Sequence, residues 1–148
     1  MRILLAIDDS KFSEEAAQTV IQQARPQDPE IRVLHVVEPP SPMASSNTPG
    51  YDPALDAQWW ATEKERAQAL VEKIAELLRS NGLKVTSSVE EGHPKSTIID
   101  IAKEWSADLI ILGSHGRTAL ERFLIGSVSE GVARHAGCSV EIVRAASK

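Results

Sequence analysis

Short apolar runs alternate with amphipathic helical stretches along the chain, and this alternation restricts the available folds more than any single residue does. Five runs read as strands: RILLAI (2–7), IRVLHVV (31–37), the more polar LKVTSSVEEG (83–92), ADLIILG (107–113) and CSVEIVR (138–144). Continuous apolar runs of this length are what a parallel strand covered on both faces requires. The third run is polar enough to belong at a sheet edge. Between the runs, FSEEAAQTVIQQA (12–24) carries Ala16, Ala17, Val20, Ile21 and Ala24 at helical spacing. Ser10 or Ser13 is placed to cap that helix, with Glu14 and Glu15 favourable in its first turn. A long helix is expected from about Ala54 to Ser80, its buried stripe made of Trp60, Ala67, Leu70, Val71, Ile74, Leu77 and Leu78 and its end marked by Asn81-Gly82. Pro94 opens another, with Ile98, Ile99, Ile101 and Ala102 facing inward, and a last helix runs from Ser127 to His135. Strands and helices in strict alternation predict an α/β fold: a parallel sheet with right-handed crossovers and helices on both faces.

At 148 residues the sequence fits one domain, 1–148, large enough to bury a core without staples. The Pro/Ser-rich stretch at 39–53 lies inside it and reads as an irregular connector at the strand ends, in the position of a lid. The one cysteine, Cys138, excludes an internal disulfide framework and any multi-cysteine metal site. No apolar run approaches the roughly 20 residues of a membrane helix, and MRILLAI runs into Asp8-Asp9 where a signal peptide would carry a cleavage site. A cytoplasmic protein is expected. A net charge of −5 with no basic run argues against nucleic acid and membrane surfaces as partners.

In a sheet of this kind ligands bind beyond the carboxyl ends of the strands, where the strand order reverses. Three segments converge there: Ala6-Ile7-Asp8, Val36-Val37, and Gly113-Ser114-His115-Gly116. A strand exit with two glycines exposes backbone N–H groups. Gly126-Ser127 then begins a helix whose first amides are unpaired and carry partial positive charge. Together these form a cradle for phosphate, in which the Ser127 hydroxyl serves either as helix cap or as donor.

Gly113-x-x-Gly116, nine residues and then Gly126-Ser127 resembles the nucleotide-binding signature of the universal stress protein family, in its ATP-binding branch. ILLAIDDS, VLHVVE, ADLIILGSHGR and FLIGSVSEGVARHAGCSVEIV also look like family segments, so the resemblance covers nearly the whole chain. It implies a three-layer, Rossmann-like sandwich (adenine nucleotide alpha hydrolase-like) with five parallel strands in the order 3-2-1-4-5. It further implies an ATP site. Asp8 would contact the nucleoside, with Ala6 and Ile7 beside it, and the Val36 backbone would meet the adenine edge. Leu112 would pack on base or ribose. Gly113, His115 and Gly116 would face ribose and phosphate, and Gly126, Ser127 and Val128 would hold the outer phosphates. Arg117 and Arg122 are placed to screen phosphate charge. A Mg ion would be held mainly by the phosphates. Asp9 departs from the family, which usually has a small or apolar residue there.

Efficient catalysis is not expected. There is no G-x-S-x-G elbow and no P-loop lysine. The acids after the first strand lack the further Asp and Lys of a response-regulator receiver. The expectation is an ATP-binding signalling or stress-response module, with at most slow hydrolysis. A self-phosphorylating protein with Ser127 or Ser129 as acceptor, and a dimeric adaptor with an empty cradle, stay open as alternatives. The resemblance also implies a homodimer through the last strand, about 138–144. There Glu141 stands between Val140 and Ile142, and Arg144 or Arg134 would have to answer its charge. His35, in an apolar strand, is expected as a hydrogen-bonded core histidine.

Overall fold

The structure, a computed structural model, describes residues 1–8, 11–24, 28–39, 50, 52–114 and 126–144, with Lys11 and Ala24 described through their backbone alone. The elements run β1 (Arg2–Ile7), α1 (Lys11–Ala24), β2 (Glu30–Val37), α2 (Pro53–Arg79), β3 (Lys84–Glu91), α3 (Pro94–Glu104), β4 (Leu109–Gly113), α4 (Ser127–His135) and β5 (Ser139–Val143). The strands form one parallel sheet in the order β3-β2-β1-β4-β5. This is the expected α/β fold and strand order, with the polar third strand at an edge.

Alternation along the central strands divides the core. Ile3, Leu5 and Ile7 of β1, Ile31 and Val33 of β2, and Ile111 of β4 lie beneath α1 and α2, packed on Ala16, Ala17, Val20, Val71, Ile74, Ala75 and Leu78. Leu4, Ala6, Leu34, Ile110 and Leu112 face the other way, onto Ile98 and Ala102 of α3 and Val132 of α4. Leu4, Leu5, Leu34, Ile110 and Ile111 are fully buried. Truncating any of them to alanine should cost about 2–5 kcal/mol. No helix among the described residues is long and apolar enough to cross a membrane.

Three helices depart from the sequence expectation. Ser13 is not the cap of α1: the helix begins at Lys11, and Ser13, buried in its first turn, bonds back to Asp8. In α2 the buried residues are Ala67, Val71, Ile74, Ala75 and Leu78, while Trp60, Leu70 and Leu77 are only half-buried at the flanks of the stripe. Ile99 and Ile101 of α3 are likewise half-buried, leaving Ile98 and Ala102 in the core.

The ends of α2 follow from local chemistry. Asp52 caps its start, its Oδ1 accepting the Ala54 amide at 2.9 Å with Pro53 at the first helical position. At the other end Gly82 takes φ +83, so that its amide reaches Arg79 O at 2.9 Å and the Leu83 amide reaches Leu78 O at 3.3 Å. That pair of bonds is a Schellman stop, which needs a residue free to adopt positive φ. Its 27 residues make α2 about 40 Å long, against about 26 Å for the eight-residue strand before it. The surplus lies at the amino-terminal end, before Ala67, and projects past the carboxyl ends of the strands.

Candidate functional site

The carboxyl ends of β1, β2 and β4 meet at the point where the strand order reverses, and each is fixed by a specific bond. At the end of β1 the Asp8 amide donates to Ser13 Oγ at 2.7 Å, and the Ser13 hydroxyl donates to Asp8 Oδ1 at 3.1 Å. One buried hydroxyl therefore sets both the backbone and the carboxylate of Asp8. At the end of β2, His35 Nδ1 lies 2.8 Å from the Ile7 carbonyl. A carbonyl only accepts, so Nδ1 carries the proton and Nε2 is left for other partners. His35 is half-buried at the rim of the sheet, hydrogen-bonded as expected but outside the core proper.

β4 leaves the sheet through Gly113, where a Cβ would stand 2.6 Å from the Cβ of Phe12. The next residue, Ser114, is buried, and its amide extends the ladder to Val143 O at 2.8 Å. The chain returns to the same place at Gly126, whose amide donates to Ser114 O at 2.6 Å. Ser129, also buried, donates its hydroxyl to Gly113 O at 2.6 Å. These bonds clamp the amino-terminal end of α4 against the exit of β4.

Gly126 is the N-cap of α4, with φ −61 and ψ 153, and its carbonyl accepts the first helical bond from Glu130 at 2.9 Å. Ser127 is therefore the first helical residue rather than the cap, so its exposed hydroxyl is released from capping. The amides of Ser127, Val128 and Ser129 make no backbone hydrogen bond among the described residues. Unpaired first-turn amides are the part of a helix best suited to an anion.

One cavity of about 730 Å³ joins these features, within the range of small-molecule sites. Ala6, Ile7, Asp8, Val36, Leu112, Gly113, Gly126, Ser127 and Val128 all line it. His115, Gly116 and Arg117, expected beside them, lie outside the described residues, as do Asp9 and Arg122. Trp59 and Glu63, neither of them among the expected site residues, also line the cavity. They sit one turn apart on the projecting part of α2, and their only signal was that i, i+4 spacing just before the buried stripe.

The described lining is mixed in character. Leu34, Val36, Ile98 and Leu112 make an apolar slot, and the first turn of α4 presents amides. The ionised lining side chains are Asp8, Glu38 and Glu63, and no lysine or arginine lines the cavity among the described residues. No group of three or more His, Cys, Asp or Glu that could hold a metal ion occurs among the described residues. Among the described residues, the two groups whose titration is clearly shifted, Glu72 and Cys138, stand outside the cavity.

Comparison with known proteins agrees with this architecture. The model of the universal stress protein family matches residues 1–144. A protein of Staphylococcus aureus strain USA300 named as a universal stress protein is 36% identical over 144 residues, covering 96% of this chain and 82% of its own length. The universal stress protein UspA from Lactobacillus plantarum superposes with a TM-score of 0.84 at 26% identity, covering 97% of each chain. The protein MJ0577 gives 0.85 at 28% identity, over 99% of this chain and 97% of its own. More distant structures with TM-scores of 0.67, at 20% and 22% identity, are universal stress proteins in complex with cAMP and dAMP. The chain belongs to the universal stress protein family.

Proposed function

We propose that the cavity is an adenine-nucleotide site and that its occupancy by ATP is what this protein signals. The observation that carries the reading is the pairing, in one cavity, of an apolar slot at the strand ends with first-turn amides of α4 that make no backbone hydrogen bond among the described residues. A nucleotide has the same two halves, a flat apolar base and an anionic phosphate chain. The complexes of family relatives with cAMP and dAMP support the base being adenine.

In this reading Asp8, held by Ser13, contacts the nucleoside, with Ala6 and Ile7 beside it. The Val36 backbone meets the adenine edge, and Leu112 packs on base or ribose. Gly113, with His115, Gly116 and Arg117, faces ribose and phosphate. Gly126, Ser127 and Val128 offer amides to the outer phosphates. Mg, held by the phosphates, would neutralise charge in a cavity whose described ionised side chains are all carboxylates. Nothing among the described lining residues serves as a cation for a transferring phosphoryl group, so any hydrolysis would be slow. Of the two candidate phosphate acceptors, Ser129 spends its hydroxyl on Gly113 O and is buried, which leaves Ser127. Pairing of two copies along β5, an outer strand of the sheet, completes the proposal.

The test is nucleotide released on denaturing freshly purified protein, identified by chromatography, followed by titration with ATP and Mg. Ser127→Asp is the control. It places a carboxylate at the amino terminus of α4, where a helix favours it, so the fold is kept while phosphate is repelled. ATP bound by the wild type and lost in S127D supports the site. Equal binding by both would refute it.

A further inference from the structure

We propose that Trp59 and Glu63 form a base-recognition wall at the nucleoside end of the cavity and make it selective for a purine bearing an exocyclic amine. The inference rests on the nucleotide reading above and goes beyond it by assigning the residues that choose the base.

The placement comes from topology. α2 packs through Val71, Ile74, Ala75 and Leu78 on the face that includes Ile31 and Val33 of β2, and it follows directly from the β2 exit. The phosphate-facing amides belong to α4, which packs beside β4 and β5 across the sheet. The overhanging end of α2 therefore reaches the cavity from the side opposite the amides.

Burial singles out the two residues. From Pro53 to Arg66 every side chain is exposed except Trp59, Trp60 and Glu63, which are half-buried. Trp59 and Glu63 line the cavity, while Trp60 does not. Trp59 is also the one indole among the described lining residues, its ring 6.5 Å from that of Trp60 and tilted 31° to it. Glu63 has a side chain 22% exposed, with Oε1 3.6 Å from the guanidinium of the largely exposed Arg66, a contact too solvated to neutralise it.

The chemistry follows from what each group offers. An indole presents a broad apolar face on which a purine packs without regard to its substituents. An ionised carboxylate only accepts hydrogen bonds, so it favours an amine at the base edge and repels a carbonyl there. Glu38, at the end of β2, lines the same cavity and adds a second acceptor. Adenine carries the amine; hypoxanthine, otherwise of the same shape, carries a carbonyl in its place.

The experiment measures equilibrium binding of ATP and of ITP, each with Mg, to the full chain and to W59A, W59F, E63Q and W60A. Circular dichroism confirms that each variant is folded. The two ligands share charge and phosphate chain, so their ratio reports base recognition alone. The wild type should prefer ATP at least tenfold. E63Q should reduce that ratio severalfold or more, because an amide offers both a donor and an acceptor. W59A should weaken both ligands by about tenfold, W59F should retain most of the affinity, and W60A should leave both affinities unchanged. Wild-type preference with W59A and E63Q unaltered would overturn this assignment and leave the nucleotide site standing. A wild type that binds neither ligand would overturn both.

Discussion

A Cβ built on Gly113 stands 2.6 Å from the Cβ of Phe12 and 3.4 Å from its carbonyl carbon and oxygen. Real Cβ atoms do not approach so closely, so the exit of β4 and the first turn of α1 can pack as they do only if residue 113 lacks a side chain. Gly113→Ala should therefore destabilise the protein without any ligand, by about 1–3 kcal/mol as overpacking does. Thermal unfolding of nucleotide-free protein checks this, with a fall in Tm of several degrees expected. Phe12→Ala in the G113A background should recover little of the loss, because alanine keeps the Cβ that makes the contact. An unchanged Tm would mean that the contact relaxes freely.

That glycine shows where the sequence was legible and where it was not. The pattern of glycines correctly located a strand exit at the cavity, but one letter stands equally for a ligand's approach and for a neighbouring helix, and only packing separates them. The strands were readable because Leu4, Leu5, Ile110 and Ile111 are buried whichever face they take, so their runs carry no polar interruption. Nine expected site residues line one cavity because each sits at a strand or helix end, where position in the chain fixes position in space. Of the two caps offered for α1, Ser10 lies outside the described residues, and Ser13 bonds instead to Asp8, a partner chosen by the turn between β1 and α1 rather than by local propensity. Trp59 and Glu63 were not expected at the cavity because their place depends on how far α2 overshoots the sheet.

Ser13 acts on the site through Asp8. Ser13→Ala removes an acceptor from a backbone amide and a donor from a carboxylate, and should cost about 1 kcal/mol of stability. Freed of its anchor, the Asp8 side chain should bind nucleotide several-fold more weakly. A double-mutant cycle with Asp8→Ala decides whether the effect runs through the carboxylate. In the Asp8→Ala background, Ser13→Ala should change affinity little, and full additivity would show that Ser13 acts elsewhere.

The charge of the described lining predicts a dependence on divalent cations. Asp8, Glu38 and Glu63 face the cavity with no lysine or arginine among the described lining residues. A triphosphate brought into that field without a counter-ion is repelled, whereas an uncharged nucleoside is not. Chelating Mg should weaken ATP at least tenfold by calorimetry and leave adenosine within about twofold, a difference of at least about 1 kcal/mol between them. Equal ATP affinity with and without the chelator would mean that the amides of α4 and the segment carrying Arg117 suffice.

At the sheet edge, Glu141 is bonded within its own chain. Gln23 Nε2 of α1 donates to Glu141 Oε1 at 2.8 Å, and Arg134 is engaged at 2.9 Å by Glu130 on its own helix. Two copies pairing along β5 would bring their Glu141 carboxylates near each other, with Gln23 bonded to each and Arg144 directly after the strand. Glu141→Val should therefore strengthen self-association, and sedimentation across a concentration series should show a shift toward dimer of about tenfold. If E141V sediments as the wild type does, β5 is not the pairing edge.

Cys138 supplies a pH dependence whose sign is fixed by its surroundings. Burial between α4 and β5 raises the thiol above its ordinary value, and the nearby Asp108 carboxylate raises it further. The folded chain thus holds the proton more tightly than the unfolded chain, in which a thiol titrates near about pH 8.5. The stabilisation this gives is complete below that value and disappears as the pH climbs through it toward the folded value. Unfolding of wild type and Cys138→Ala by denaturant at a series of pH values isolates it, since the variant has no thiol to titrate. The wild type should lose stability relative to C138A as the pH rises past about 8.5, and iodoacetamide should modify the native thiol at pH 8 far more slowly than the denatured one. A stability difference that stays flat across that rise would place the Cys138 thiolate in solvent.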